Sequence, residues 1–205
     1  MSRCLVCDEV IEDTFNSLIY DGAKVCKLCI DKFKVRNKKL VVENVKCEIL
    51  YYYDEYFKQL LFQYKGLGNY LLKDVFLYNN LKRLKKKYKG YTLVLAPSND
   101  FVEIKRGFCH LEGICESLNL KMIKCFSKSQ EWKQSDKKLS ERKDIQNIIK
   151  IDKSLLNGVK RVLIVDDVLT SGSTIKTMIS QMPSNIDKKI LVLSSNCQFL
   201  PNEIV

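Results

Sequence analysis

The sequence predicts an α/β protein: a mostly parallel sheet with helices on both faces, preceded by a small four-cysteine zinc module. Three observations carry that expectation. Short, wholly apolar runs, Val162-Leu163-Ile164-Val165 and Ile190 to Leu193, read as strands buried on both faces. Segments with apolar residues at helical spacing stand between the strands. Residues 1–30 hold two tight cysteine pairs and too little apolar sequence for a core of their own.

Composition limits the function classes. The 205 residues are 46% hydrophobic and 29% charged, which excludes a largely disordered chain. The longest apolar runs fall far short of the roughly 20 residues a membrane span requires. Residues 1–30 scatter charges among cysteines, so they read as neither a signal nor a transit peptide. The expectation is a cytoplasmic protein, at most peripheral to the inner face of the membrane. With 35 Lys+Arg against 24 Asp+Glu the chain carries +11, which suits an acidic partner such as nucleic acid, a polyphosphate or an anionic surface.

Taken in order, the elements divide the chain into a zinc module with its connector (1–44) and a larger domain (45–205). Cys4-x2-Cys7 and Cys26-x2-Cys29 are knuckles 18 residues apart. Each spacing lets one turn aim two sulfurs at a single ion, and two knuckles complete a tetrahedron around structural Zn2+. An iron–sulfur cluster is the alternative for the same thiolates. Arg3, Lys24 and Lys27 are placed to offset the thiolate charge. The single cysteines Cys47, Cys109, Cys115, Cys125 and Cys197 read as small buried hydrophobes. Asp31 to Asn44 is a Lys-rich connector, Cys47 to Tyr53 an aromatic strand, Glu55 to Lys65 a helix, and Tyr70 to Tyr88 a second helix. Strands follow at Thr92 to Ala96 and Lys121 to Phe126, with a helix from Phe108 to Leu118 between them. Ser127 to Glu141 is polar and reads as a mobile excursion. Arg161 to Val165 is a strand, Thr174 to Met182 a helix, and Lys189 to Ser194 the last strand.

The most informative stretch runs from Arg161 through Asp166-Asp167-Val168-Leu169-Thr170-Ser171-Gly172-Ser173-Thr174. A buried strand delivers two carboxylates to the carboxyl edge of the sheet, where α/β proteins hold ligands. A Thr/Ser/Gly loop then opens a helix, and its N–H groups and hydroxyls can surround a phosphate. Gly172 permits close backbone approach. Acids beside a bare phosphate would repel it; beside a sugar phosphate they accept from ribose hydroxyls. Strand neighbours point to opposite faces, so both acids meet one sugar only if the chain curves at Asp167. Too few residues follow Asp167 for a response-regulator receiver domain, a P-loop sequence is absent, and Gly66-x-Gly68 lacks a third glycine.

This stretch resembles the PRPP-binding signature of type I phosphoribosyltransferases. Together with the cysteine quartet, it makes the chain similar to the ComF family of late-competence proteins. Lys65-Gly66, Pro97, Arg106-Gly107-Phe108, Gln134-Ser135 and Arg142 extend the resemblance. The family usually continues Arg-Gly-Phe with Asn-Gln, where Cys109-His110 stand here. Its usual Pro-x-Pro is reduced to Ala96-Pro97-Ser98. The resemblance implies a type I phosphoribosyltransferase-like fold and a pocket for PRPP or a related sugar phosphate with Mg2+. Asp166 and Asp167 would meet the ribose as the catalytic acids, and Thr170, Ser171, Gly172, Ser173 and Thr174 the 5'-phosphate. Pro97, Ser98 and Asn99 would form the pyrophosphate loop, with Arg106 as counter-charge. It further implies internalisation of single-stranded DNA in natural transformation beside a helicase-like competence protein. An active phosphoribosyltransferase of nucleobase salvage is the alternative.

Two features stand outside that frame. Lys82-Arg83-Leu84-Lys85-Lys86-Lys87-Tyr88-Lys89 reads either as a solvated helix end or as a phosphate-tracking patch for single-stranded DNA, with Tyr51, Tyr52 and Tyr53 as stacking rings and Lys133, Lys137, Lys138, Arg142 and Lys143 on the same surface. His110, the single histidine, reads as a surface or packing residue rather than a general base.

Overall fold

A computed structural model describes residues 2–11, 24–98, 100–128 and 149–196. The amino-terminal module pairs β1 (Ser2–Arg3) with β2 (Val10–Ile11), and α1 (Lys27–Asp31) follows the second knuckle. These residues share one core with the rest of the described chain. Cys4, Val25, Cys29 and Phe33 join the main core, and the Phe33 ring lies 4.8 Å from Tyr51 and 5.3 Å from Tyr56. Tyr56 also donates its hydroxyl to the Cys29 carbonyl at 2.8 Å.

The central sheet has the order β3-β4-β10-β9-β5-β6. Its members are β3 (Val35–Val42), β4 (Val45–Tyr52), β5 (Thr92–Leu95), β6 (Met122–Ile123), β9 (Arg161–Leu169) and β10 (Asp187–Ser195). All neighbours run parallel except the β3–β4 edge pair. Val162, Leu163, Ile164 and Val165 are each wholly buried although successive side chains face opposite ways. Both faces of β9 are therefore covered, and the predicted mostly parallel α/β class holds.

Several elements differ from the sequence reading. The Lys-rich connector is mostly strand: Glu43 and Asn44 both adopt positive φ (49° and 62°), the two-residue turn that closes a tight hairpin, and Leu40 and Val42 are buried. The helix from Glu55 splits into α2 (Glu55–Leu61) and a π-helical turn, Phe62–Gly66. The second helix breaks into 3-10 turns at Tyr70–Asp74 and Tyr78–Asn80 and then α3 (Leu81–Lys87). Leu72, Val75, Phe76 and Leu77 are all buried, and on one regular helix they would span about 200° of its circumference. The tighter turns bring all four to the core.

The strand read at Lys121 to Phe126 is divided between β6 and β7 (Phe126–Lys128), and β7 pairs with β8 (Ile149–Ile151) in a separate ribbon. An unforeseen helix, α4 (Asp100–Arg106), precedes α5 (His110–Glu116). Strand β9 continues past Val165 to Leu169 because β10 runs on beside it, with Ser194 opposite Val168 and Ser195 opposite Leu169. The last helix, α6 (Ser173–Gln181), lies between them in sequence.

Topology places a crevice. From β5 the chain moves outward to β6, whereas from β9 it moves the other way to β10. Strand order thus reverses between β5 and β9, and parallel sheets hold ligands outside the carboxyl ends of such a pair.

Candidate functional site

Two adjoining cavities open at that crevice. The inner one, about 310 Å3, is lined by Lys65, Pro97, Ser98, Arg106, His110, Asp166, Asp167 and Thr174, among others. The outer groove, about 1130 Å3, shares Lys65, Arg106 and Asp167 with it and adds Tyr53, Phe62, Leu67 and Thr170. Residues from the segment after β5, the π-turn, α4, α5, β9 and α6 therefore converge on one place.

The acid pair is divided in its duties. β9 shows no break at Asp167, yet both carboxylates reach the cavity. Each turns along the strand to accept the N–H of the next residue: Asp166 Oδ1 from Asp167 at 2.9 Å, and Asp167 Oδ1 from Val168 at 2.8 Å. The other Asp167 oxygen, Oδ2, accepts from the Lys65 ammonium and from His110 Nε2 at 3.2 Å. Burial, followed by repulsion from Asp167, pushes the Asp166 carboxyl well above its ordinary range. Burial pushes Asp167 the same way, but the His110 hydrogen bond and the Lys65 charge outweigh it and hold that carboxyl well below the usual carboxylate range.

The cations are held as deliberately as the acids. Lys65 sits in the π-helical turn, a local irregularity frequent at functional sites. Arg106, at the end of α4, donates from Nε to the Lys65 carbonyl at 2.6 Å and approaches His110 Nδ1 at 3.4 Å through its terminal nitrogen. Its side chain lines both cavities. Ser98 is also at the cavity but donates its hydroxyl to Glu103, and Asn99 lies outside the described residues.

The loop after β9 has the shape its sequence anticipates. Gly172 is the cap residue of α6, in the left-handed region at φ 72° and with no side chain of its own to offer, while the Ser173 N–H reaches Ser171 Oγ at 3.4 Å. The first N–H groups of α6 are thus left without a side-chain partner from the cap residue. The glycine requirement is conformational, since an added Cβ would meet nothing closer than 3.6 Å. Ser171 donates to the Ser173 hydroxyl at 3.0 Å, which folds the loop over the helix start. Thr170 borders the outer groove and Thr174 the inner cavity.

The sequence reading gave His110 as a surface or packing residue and did not foresee its contact with Asp167. It is buried, not a surface residue, and lies in direct contact with Asp167. No spacing signal pointed to it, because Arg106 ends α4 and His110 opens α5, with Gly107 at φ 84° between the two helices. Lys65 was legible only through the resemblance.

The cysteine quartet forms a second site. The Sγ atoms of Cys4, Cys7, Cys26 and Cys29 lie within 4.8 Å of one another, with Cys7 and Cys26 3.7 Å apart. Tetrahedral Zn–S bonds of about 2.3 Å set sulfurs about 3.8 Å apart, so the cluster could hold zinc. The Cys26 N–H points at the Cys4 sulfur at 3.3 Å, a donor suited to a thiolate. Arg3 and Lys24 do not serve the sulfurs as expected; they pair with Asp8 at 2.9 Å and Asp74 at 2.6 Å.

Elsewhere, Cys47, Cys115 and Cys125 are buried as expected, Cys109 is half-buried, and Cys197 lies outside the described residues. Two of the six cations in the 82–89 run, Arg83 and Lys87, turn to the buried Glu48 carboxylate, which also accepts from the Tyr88 hydroxyl at 2.7 Å. Among the predicted stacking rings Tyr51 is buried and Tyr52 is exposed beneath Arg36. Gln134, Ser135, Arg142 and the lysines at 133, 137, 138 and 143 lie outside the described residues.

No family model matches the chain, and no curated protein does. Among solved structures it is similar to a hypoxanthine phosphoribosyltransferase from Staphylococcus aureus, seen in two crystal forms. The tetragonal form is 15% identical with a TM-score of 0.40, covering 65% of this chain and 68% of that one. The orthorhombic form is 14% identical with a TM-score of 0.36, covering 72% and 77%. Among the described residues no helix is long and apolar enough to cross a membrane.

Proposed function

We propose that the inner cavity binds a pentose phosphate of the PRPP type, and that the chain is a ComF-like competence protein acting in single-stranded DNA internalisation. The observation that carries the pocket reading is the convergence, at the strand-order reversal, of two carboxyls, a Thr/Ser/Gly loop at a helix start and two cations. Each group has a task on such a ligand. The 170–174 loop and the α6 terminus take the 5'-phosphate. Asp166 and Asp167 accept from ribose hydroxyls. Lys65 and Arg106 would offset the pyrophosphate charge, with Pro97 and Ser98 beside it and Asn99 as the third member of that loop.

Mg2+ fits this donor set because it takes carboxylate and phosphate oxygens, and Asp166 has the carboxyl less engaged by protein donors. When bound it would supply neutralisation of the pyrophosphate. Structural zinc in the quartet would hold the segment that ends with α1 against the core of the central sheet, which β3 already joins. The DNA and helicase-like partners rest on the family resemblance and on the net charge of +11. A cytoplasmic location, peripheral to the inner membrane face at most, accords with that role.

Calorimetric titration with PRPP and Mg2+ tests the pocket. Binding by the wild type and its loss in Asp166→Asn is the expected result. Absence of binding by a zinc-loaded, folded wild type refutes the pocket. PRPP consumption in the presence of a nucleobase would instead establish the salvage enzyme.

A further inference from the structure

We propose that His110 is a positioning residue of this pocket: Arg106 holds it as the Nε2–H tautomer, and it fixes the Asp167 carboxylate where ribose hydroxyls arrive. The inference rests on the pentose-phosphate reading for its purpose, but its geometry stands independently. A guanidinium only donates, so the Arg106 nitrogen 3.4 Å from His110 Nδ1 requires that nitrogen to accept. The ring proton then resides on Nε2, which faces Asp167 Oδ2 at 3.2 Å. Arg106 is in turn fixed by its bond to the Lys65 carbonyl, and Lys65 closes the circuit through its ammonium on the same Asp167 oxygen.

The two donors on Asp167 differ in freedom. Lys65 keeps 34% of its side chain exposed and has a long flexible stem, so an arriving phosphate can draw its ammonium away. His110 keeps only 7% exposed, and its backbone carbonyl accepts the Tyr64 hydroxyl at 2.8 Å. Tyr64 is itself wedged against Phe76 and Phe108 at 5.4 and 5.2 Å between ring centres. His110 therefore remains on Asp167 when Lys65 leaves. It keeps the carboxylate from rotating, and leaves its remaining lone pairs for hydroxyl donors.

The single histidine makes the test direct. Nitrogen-15 labelling of histidine should show, in the wild type at neutral pH, a protonated Nε2 and an accepting Nδ1, with Nε2 still protonated after PRPP and Mg2+ are added. His110→Ala should weaken PRPP binding about tenfold or more through loss of one hydrogen bond to a charged group. His110→Gln, which can donate and accept at once, should recover most of that loss. An Nδ1–H tautomer, or an imidazolium, in the wild type overturns the proposal. So does wild-type PRPP affinity in His110→Ala. If the wild type binds no PRPP, the pentose-phosphate reading fails and takes the positioning role with it, whereas an affinity unchanged in His110→Ala removes this inference alone.

Discussion

Replacing each member of the acid pair by asparagine should have opposite effects on stability. Asp167 is nearly buried and accepts from Lys65, His110 and a backbone N–H. Removing one partner of a fully buried ion pair costs about 3–5 kcal/mol. Lys65 keeps a third of its side chain in water, which screens the loss, so Asp167→Asn should cost about 2 kcal/mol. For a chain of this length that lowers Tm by about 4–8 °C. Asp166 has its carboxyl pKa raised by burial and by Asp167, so its ionised form is disfavoured in the folded state. Above its unfolded value, near 3.9, the folded chain holds the extra proton, and stability falls as pH rises through that window. The stability Asp167 contributes is present above its unfolded value and is lost as pH falls toward its depressed folded value. Asp166→Asn should therefore be neutral or stabilising, with the larger gain at pH 7.5 than at pH 5. Urea unfolding of the three proteins at both pH values measures this. An Asp166→Asn protein as destabilised as Asp167→Asn at pH 7.5, or a gain confined to pH 5, would refute the charge assignment.

Two further outcomes bear on other parts of the chain. Elemental analysis should find one zinc per chain, lost in Cys26→Ser; a strong chelator should lower Tm, because Cys4 and Cys29 belong to the main core. Iron in place of zinc, or unfolding indifferent to the chelator, would refute the structural-zinc assignment. Gly172→Ala should cost about 1–2 kcal/mol, since φ 72° is strained for any residue with a Cβ. The same substitution should weaken PRPP binding by distorting the start of α6, and calorimetry showing wild-type stability and affinity would disprove the role of the left-handed turn.

What the sequence disclosed and what it withheld follow a physical line. Signals confined to one segment were legible: the apolar run of β9, the acids at its end, the Thr/Ser/Gly loop and the cysteine spacing each encode local geometry. Properties fixed by a distant partner were not. β9 extends beyond Val165 because β10 accompanies it, and no residue of 161–169 announces that length. Glu43-Asn44 turns a lysine-rich connector into an edge strand through two positive φ angles, a weaker signal than Asn-Gly. His110 gains its role only when α5 is set beside β9, 57 residues later in sequence.

The same line bears on how the acids can share a cavity with Thr174, the end of the loop proposed to take a phosphate. Read along the chain, Asp166 and Asp167 stand a few residues from a site meant for an anion and would oppose it. The fold answers that opposition from elsewhere: Lys65 arrives from the π-turn and Arg106 from α4. Asp167 is then neutralised by its ion pair, and the raised pKa of Asp166 favours its uncharged form. Lys65 and Asp167 offset one another in the lining, which leaves Arg106 and Lys128 as its surplus cations. A ligand of the PRPP type, with a 5'-phosphate and a pyrophosphate, carries more negative charge than Arg106, Lys128 and a borrowed Lys65 ammonium offset. On the proposed reading a divalent cation would come with the ligand, and Asp166, the carboxyl least engaged by protein donors, would release its proton to receive it.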